Sequence, residues 1–269
     1  LTNGRIVDPE SRMDRVANVG ISAGTVQAIT GELLEGNDSI DAAGLVVAPG
    51  AIDLHSHGQD DENYQIQARD GVTTALELEL GVLDVDQWYG EREGTALINF
   101  GASVGHIPVR MKVMNDPGFM APVADAAYKE ASEPQIEEMK NLIHDGLRSG
   151  ALAVGFVLAG SPMASRWEAL EMFRVAAQYE ASCHVHMRGV GDREMSNSID
   201  GLSEIIAAAV TSGAPLHVDH INSSGQHAVA NLIRMVEEAQ SKGLDVTAEC
   251  YPYTAGMTGI ESAMLAEGW

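Results

Sequence analysis

Two histidines, His55 and His57, stand one residue apart at the end of an apolar run with the character of a β-strand. Alternate side chains of a strand point to the same face, so the two imidazoles are expected to lie side by side. Two neutral imidazoles on one face can chelate a divalent metal ion. The competing interpretation is a hydrogen-bonded pair of core histidines, and the choice depends on whether other segments supply further ligands.

Two later apolar segments also carry histidines near their ends, namely His184 with His186 and His217 with His220. Core packing alone would scatter histidines over helices and loops, so this clustering favours a metal site. His186 and His220 lie furthest along their segments and are predicted to be ligands. His184 and His217 are assigned to packing or to holding the ligands in place. Asp219 is expected to face away from the site.

A pair of carboxylates, Glu77 and Glu79, alternates with leucines in another apolar segment. Two carboxylates on one face of a buried strand are costly unless they are paired, and a metal ion would compensate them. A carboxylate can also bridge two metal ions, as hydrolytic two-metal sites require. Glu79 lies nearer the predicted strand end than Glu77 and is therefore the preferred ligand.

The arrangement of predicted elements indicates what positions these side chains. Residues 1–48 alternate short apolar runs with turn residues and predict a small β-sandwich portion. From residue 49 onward, strands alternate with helices, which predicts an α/β domain with a parallel sheet. The predicted strands cover residues 51–55, 72–79, 97–104, 151–157, 182–187, 215–221 and 245–251, and the clearest helices cover 133–148, 167–180, 198–212 and 226–242.

Seven strands are one fewer than a closed (β/α)₈ TIM-type barrel contains, although an open doubly wound sheet usually has fewer. We expect a barrel over residues 49–269 from which strand eight is missing, the chain being truncated at its C-terminus. Active sites of such barrels lie at the C-terminal strand ends, where the histidines fall.

The composition limits the classes of partner. The net charge is −23, from 39 acidic and 16 basic residues, which disfavours binding to nucleic acid and to anionic membranes. The excess of acids over lysines suggests a salty habitat.

Two cysteines, Cys183 and Cys250, do not make a disulfide framework and are expected in buried strands. A cytoplasmic protein is expected, acting on a small molecule, and the sequence leaves homo-oligomer formation open.

Several segments together resemble the amidohydrolase superfamily, and within it the N-acyl-D-amino-acid deacylases (D-aminoacylases). The resemblance runs from about residue 5 to the C-terminus. It rests on the segment that ends in His57, on Gly105-His106 with Arg110, on His186-Met187-Arg188, on His220, and on Tyr251-Pro252-Tyr253-Thr254-Ala255-Gly256.

The resemblance implies hydrolysis of an N-acyl amide bond, with attack by metal-bound water. It implies Zn²⁺, as one or two ions, held by His55, His57, His186 and His220 with a ligand from strand two. Tyr251 or Tyr253 is expected to stabilise the tetrahedral oxyanion. The general acid/base is expected to be an Asp of strand eight, beyond Trp269.

Departures from the family pattern affect the metal and the substrate contacts. The deacylases carry a Cys ligand where this chain has Leu80, so Glu79 is the replacement candidate, and Mn²⁺ or Fe²⁺ become alternatives to zinc. Asn222 replaces an expected basic residue after strand six. Asn222, His106 and Arg188 are the predicted substrate-binding residues.

Two other functions are compatible with parts of the pattern. Cyclic-amide hydrolases of the dihydroorotase or hydantoinase kind use a carboxylated Lys on strand four, but residues 151–157 contain no Lys. The other alternative is a non-catalytic barrel that binds metal without turnover.

Overall fold

The computed structural model describes residues 1–191, 197–259 and 262–263. The chain divides into two compact units, Leu1–Ala51 and Ile52–Trp269. The assignment of residues 1–48 to a β-sandwich portion and of residues 49–269 to a hydrolase domain stays a prediction.

The first unit contains a small sheet of four strands in the order β3-β2-β1-β4. The strands are β1 (Gly4–Asp8), β2 (Met13–Ser22), β3 (Thr25–Thr30) and β4 (Val46–Val47). β2 pairs antiparallel with β1 and β3, whereas β4 pairs parallel with β1. Ile6, Ala17 and Val19 form a small buried cluster on this sheet.

A seven-stranded sheet carries the predicted barrel strands in the order β11-β10-β9-β8-β7-β6-β5. The strands are β5 (Ala51–Asp53), β6 (Val72–Val82), β7 (Asn99–Gly105), β8 (Ala153–Val157), β9 (Ser182–His186), β10 (Leu216–Val218) and β11 (Val246–Ala248). Neighbouring strands from β6 to β11 pair in parallel, which confirms the predicted parallel sheet. Cys183 is buried as expected, but Cys250 is exposed because β11 ends two residues before it.

Helices follow the strands along the chain. They are α1 (Asp61–Arg69), α2 (Val85–Gly90), α3 (His106–Val113), α4 (Asp125–Tyr128), α5 (Glu133–Arg148), α6 (Arg166–Gln178), α7 (Ser198–Ser212), α8 (Ile221–Gly225) and α9 (Val229–Ser241). Short 3₁₀ turns cover Leu158–Gly160 and Gln226–Ala228. In the part of the chain that the structure describes, no helix is both long and apolar enough to cross a membrane.

Helix α5 shows how local sequence and packing agree. The side-chain oxygen of Gln135 accepts a hydrogen bond from the backbone N–H of Ser132 at 2.9 Å, as a capping box requires. The side chains at helical spacing on one face, Ile136, Met139 and Ile143 among them, are buried against the sheet. Gly146 allows this close approach, since a Cβ there would lie 2.6 Å from the Val104 side chain.

The seven-stranded sheet curls towards closure. β5 and β11 are its outermost strands, yet Nδ1 of His55, just after β5, lies 2.9 Å from Oε1 of Glu249, just after β11. The carboxyl ends of the outer strands therefore meet, as they do in a barrel. This curling gathers residues from opposite edges of the sheet into one site.

Candidate metal centre

Glu79 on β6 is buried, and four histidines from the ends of β5, β9 and β10 surround its carboxylate. Its Oε1 atom lies 2.9 Å from Nδ1 of His186 and 2.9 Å from Nε2 of His220. Its Oε2 atom lies 3.2 Å from Nε2 of His55 and 3.2 Å from Nε2 of His57. All five predicted ligands are thus brought together, with one carboxylate oxygen facing each histidine pair.

The spacing within each histidine pair suits a shared metal ion. Nε2 of His55 and Nε2 of His57 are 3.2 Å apart, and Nδ1 of His186 and Nε2 of His220 are 3.1 Å apart. Two nitrogens that bind one tetrahedral zinc ion at about 2.0–2.1 Å lie about 3.3 Å from each other. Imidazole and carboxylate ligands also suit manganese and iron. The residues present therefore fit a divalent transition metal.

Two further carboxylates hold the outer nitrogens of the first histidine pair. Nδ1–H of His57 donates to Oε2 of Glu77 at 2.7 Å, and Nδ1–H of His55 donates to Oε1 of Glu249 at 2.9 Å. Such bonds fix the tautomer and leave Nε2 with a free lone pair for a metal. Glu249 also accepts the backbone N–H of His220 at 2.6 Å. Glu249 was not among the predicted ligands, although its position near the end of the seventh predicted strand was a usable signal.

The carboxylates of the site shift the pKa values of the histidines that they contact. Burial lowers the pKa of His55, but its hydrogen bonds to Glu249 and Glu79 outweigh burial and raise the pKa to about 11. Burial likewise lowers the pKa of His57, and hydrogen bonds to Glu77 and Glu79 raise it to about 10. Burial raises the pKa of Glu79, but the surrounding imidazoles hold it well below its usual value. The cluster thus attracts positive charge, whether as protons or as a cation.

Asp219 lies inside the site, contrary to the expectation that it faces away. Its carboxylate, the His55 ring and Glu249 offer ligand atoms within 4.8 Å of one another. The expectation was wrong because Asp219 lies two residues after His217, so the alternation that points His217 inward points Asp219 inward as well. His220 would face away by the same alternation, but it adopts a left-handed backbone with φ 29°, and its ring reaches Glu79.

Of the two predicted catalytic tyrosines, Tyr251 lies beside His220, and Tyr253 lies beside Tyr251. The Tyr251 ring centre is 6.0 Å from that of His220, and the Tyr253 ring centre is 6.1 Å from that of Tyr251. Asn222 holds this segment, because its side-chain Nδ2 donates to the Tyr251 carbonyl at 3.0 Å. Asn222 thus contacts the tyrosine segment, while Tyr253 is exposed to solvent.

The other two predicted substrate-binding residues make internal contacts. His106 is fully buried, and its Nε2 lies 2.7 Å from Oε1 of Glu168. Arg188 donates to Glu204 at 3.1 Å and to backbone carbonyls that include Pro162 at 3.1 Å. Both side chains therefore have partners within the protein, and their role in binding substrate stays a prediction.

Comparison with known proteins finds similarity to amidohydrolases, although no family model matches the chain. The chain is 26% identical to a D-aminoacylase of Alcaligenes xylosoxydans xylosoxydans over 301 residues, covering 97% of this chain and 58% of that protein. It is 25% identical to a dihydroorotase of Streptococcus pneumoniae over 295 residues, covering 100% of this chain and 63% of that protein. The predicted resemblance to D-aminoacylases is confirmed.

A solved structure shares the fold. N-acyl-D-glutamate deacylase from Bordetella bronchiseptica, complexed with zinc and a phosphonate inhibitor, matches with a TM-score of 0.74 and 24% identity. The match covers 94% of this chain and 58% of that one. The seven-stranded sheet therefore shares the barrel fold of this deacylase. The chain spans about three fifths of the length of these relatives.

Proposed function

We propose that this chain carries the metal centre of a hydrolase that cleaves a carbon–nitrogen amide bond. The observation that supports the proposal most directly is the arrangement of two histidine pairs around the two oxygens of Glu79. This set of ligands lies at the carboxyl ends of parallel strands, where barrel enzymes carry out their chemistry. Similarity to a D-aminoacylase and to a dihydroorotase, both named for hydrolysis of C–N bonds, points to the same reaction class.

The metal proposed is Zn²⁺, with Mn²⁺ and Fe²⁺ as alternatives. His55 and His57 would hold one ion, His186 and His220 a second, and Glu79 would contact both. When bound, a divalent ion would lower the pKa of a water molecule and polarise a carbonyl oxygen of the substrate. Support for zinc comes from the related deacylase structure, which contains it.

The chain's own residues prepare this centre for a substrate. Glu77 and Glu249 fix the orientation of His57 and His55, so the ligands do not need to rearrange when a metal binds. Asn222 holds the Tyr251 segment next to His220, where a phenol can donate a hydrogen bond to a developing oxyanion. The proton-transferring Asp implied by the family resemblance stays a prediction for the chain beyond Trp269.

The substrate proposed is an N-acyl amino acid, of the D configuration or a related small amide. The similarity to D-aminoacylase supports it. The similarity to dihydroorotase favours a second candidate, hydrolysis of a cyclic amide. Cyclic-amide hydrolases use a carboxylated Lys on strand four as the bridge between metals. Strand β8, the fourth strand of the sheet, contains no Lys, which counts against this candidate.

The test uses the full-length protein, stripped with a chelator and reloaded with Zn²⁺, Mn²⁺ or Fe²⁺. We expect reloaded protein to release free amine from N-acetyl-D-amino acids, and stripped protein to be inactive. His220→Ala and His55→Ala should abolish both metal binding and turnover, while His144→Ala, a change on the outer side of α5, serves as the matched control. Turnover of dihydroorotate or hydantoin alone would favour the cyclic-amide candidate, and bound metal without any turnover would favour a binding protein.

A further inference from the structure

A second group of metal-capable side chains lies inside the barrel, next to the four-histidine centre. His184 on β9, His217 on β10 and Asp219 just after β10 offer ligand atoms within 4.8 Å of one another. All three residues are more than nine-tenths buried, with relative exposures of 6%, 7% and 1%. The backbone register places His184 directly opposite His217, so both rings belong to one layer of the barrel interior.

Each of the three side chains has one buried polar atom without a hydrogen-bond partner among the described residues. These atoms are Nδ1 of His184, Nε2 of His217 and Oδ2 of Asp219. An unpartnered buried polar atom destabilises the fold because its lost hydration is not replaced, and a buried carboxylate does so more strongly. Among the described ion pairs, Asp219 has only the His184 ring, at 3.9 Å. A ligand that contacts all three atoms would remove these costs together.

The opposite nitrogen of each imidazole is held by a hydroxyl. Nδ1 of His217 lies 2.8 Å from Oγ1 of Thr247, and Nε2 of His184 lies 3.1 Å from Oγ of Ser182. When each ring donates to its hydroxyl, the other nitrogen, which has no hydrogen-bond partner among the described residues, carries a free lone pair. Metal-binding histidines show this arrangement, with the non-ligating N–H tied to an oxygen acceptor.

We propose that His184, His217 and Asp219 form a second cation site for a divalent transition metal such as Zn²⁺. Two imidazole lone pairs and one carboxylate are a ligand set that binds zinc and iron. The proposed site uses neither Glu79 nor any of the four histidines around it, although Asp219 also lies within 4.8 Å of ligand atoms of His55 and Glu249. Its occupancy does not depend on whether the protein hydrolyses amides.

The test counts metal ions rather than turnover. Full-length protein is stripped, dialysed against Zn²⁺ and analysed for metal by mass spectrometry. We expect His217→Asn and His184→Asn each to bind one equivalent fewer than the parent. His144→Asn, which alters a histidine bonded to Tyr179 outside both sites, should keep the parent value.

A milder variant keeps the proposal testable if the asparagine variants fail to fold. Thr247→Val removes the hydroxyl behind His217 but preserves the side-chain shape. We expect about 10–100-fold weaker zinc binding at one site and unchanged binding at the other. The proposal would be overturned if both asparagine variants bound as many zinc ions as the parent, or if folded Thr247→Val bound zinc as tightly as the parent. A buried water would then be the occupant of the cluster. Glu79→Gln separates this result from the proposed function, since it alters only the four-histidine centre.

Discussion

Individual side chains explain why this centre is built for a cation. Glu79 is buried and faces four imidazoles, so a cation bound among these rings would compensate its charge. Glu77 and Glu249 add negative charge behind the rings. A metal must displace protons from the histidines, so its affinity should fall as the pH is lowered.

Replacing Glu79 with Gln should remove one metal equivalent, because the amide keeps the shape but loses the charge that both histidine pairs face. Glu77→Gln is the matched control on the same strand. It should keep the metal count and weaken affinity about 10–100-fold, since Glu77 holds the outer nitrogen of His57 and the backbone N–H groups of Leu80 and Gly81 but none of the metal-facing nitrogens. Metal analysis after dialysis measures both, and equal stoichiometry in Glu79→Gln and the parent would reject the bridging role.

A buried ion pair between α3 and α6 should make the domain sensitive to acid. Arg110 and His106 both contact Glu168, and all three side chains are buried. Burial raises the pKa of Glu168, but the hydrogen bond from His106 and the charge of Arg110 hold it below its usual value. The folded-state pKa is therefore lower than the unfolded value of about 4.3, so this contribution to stability is present above that pH and is lost as pH falls through the folded pKa.

We expect Glu168→Gln to lower the free energy of unfolding at pH 7 by about 3–5 kcal/mol, because it leaves Arg110 buried without its partner. The variant should also lack the part of the acid sensitivity that comes from this carboxyl group. Urea unfolding at pH 7 and at pH 4 measures both effects. Glu137→Gln, which alters an exposed pair with Lys140, should cost less than about 1 kcal/mol, and similar losses in the two variants would contradict the account.

The strands and helices were largely predictable, and the ends of the strands were not. Apolar runs and caps located every parallel strand and bounded α5 at Glu133 and Arg148, because those patterns are local. Asp219 faces inward with His217, whereas His220 reaches Glu79 through a left-handed turn that strand alternation does not foresee. Glu249 reaches His55 across 194 residues, so only the closure of the sheet reveals the pair.

Close approach of β8 to β6 positions Glu79. A Cβ on Gly155 would lie 2.4 Å from the backbone oxygen of Glu79 and 2.5 Å from that of Leu78. Gly155→Ala should therefore displace β6, weaken metal binding and lower stability by about 1–3 kcal/mol. Gly101→Ala on β7 is the control, because its Cβ would meet only the ends of leucine side chains. Unchanged zinc affinity in Gly155→Ala, measured by titration, would show that β6 is not positioned in this way.

The molecule as a whole carries a net charge of −23. Like charges on one surface repel each other and destabilise the compact state, and salt screens this repulsion within a Debye length of about 10 Å at 0.1 M. We expect the melting temperature and the activity of the metal-loaded protein to rise as sodium chloride increases from low to molar concentration. Scanning calorimetry and activity assays over that range provide the measurement, and indifference to salt would reject adaptation to a salty habitat.

The metal centre itself is tested most directly by anomalous diffraction at the zinc edge from zinc-loaded crystals. We predict peaks about 2.0–2.2 Å from Nε2 of His55 and His57 and from the nitrogens of His186 and His220 that face Glu79. A map with no peak among these four histidines, in protein shown to contain zinc, would contradict the account.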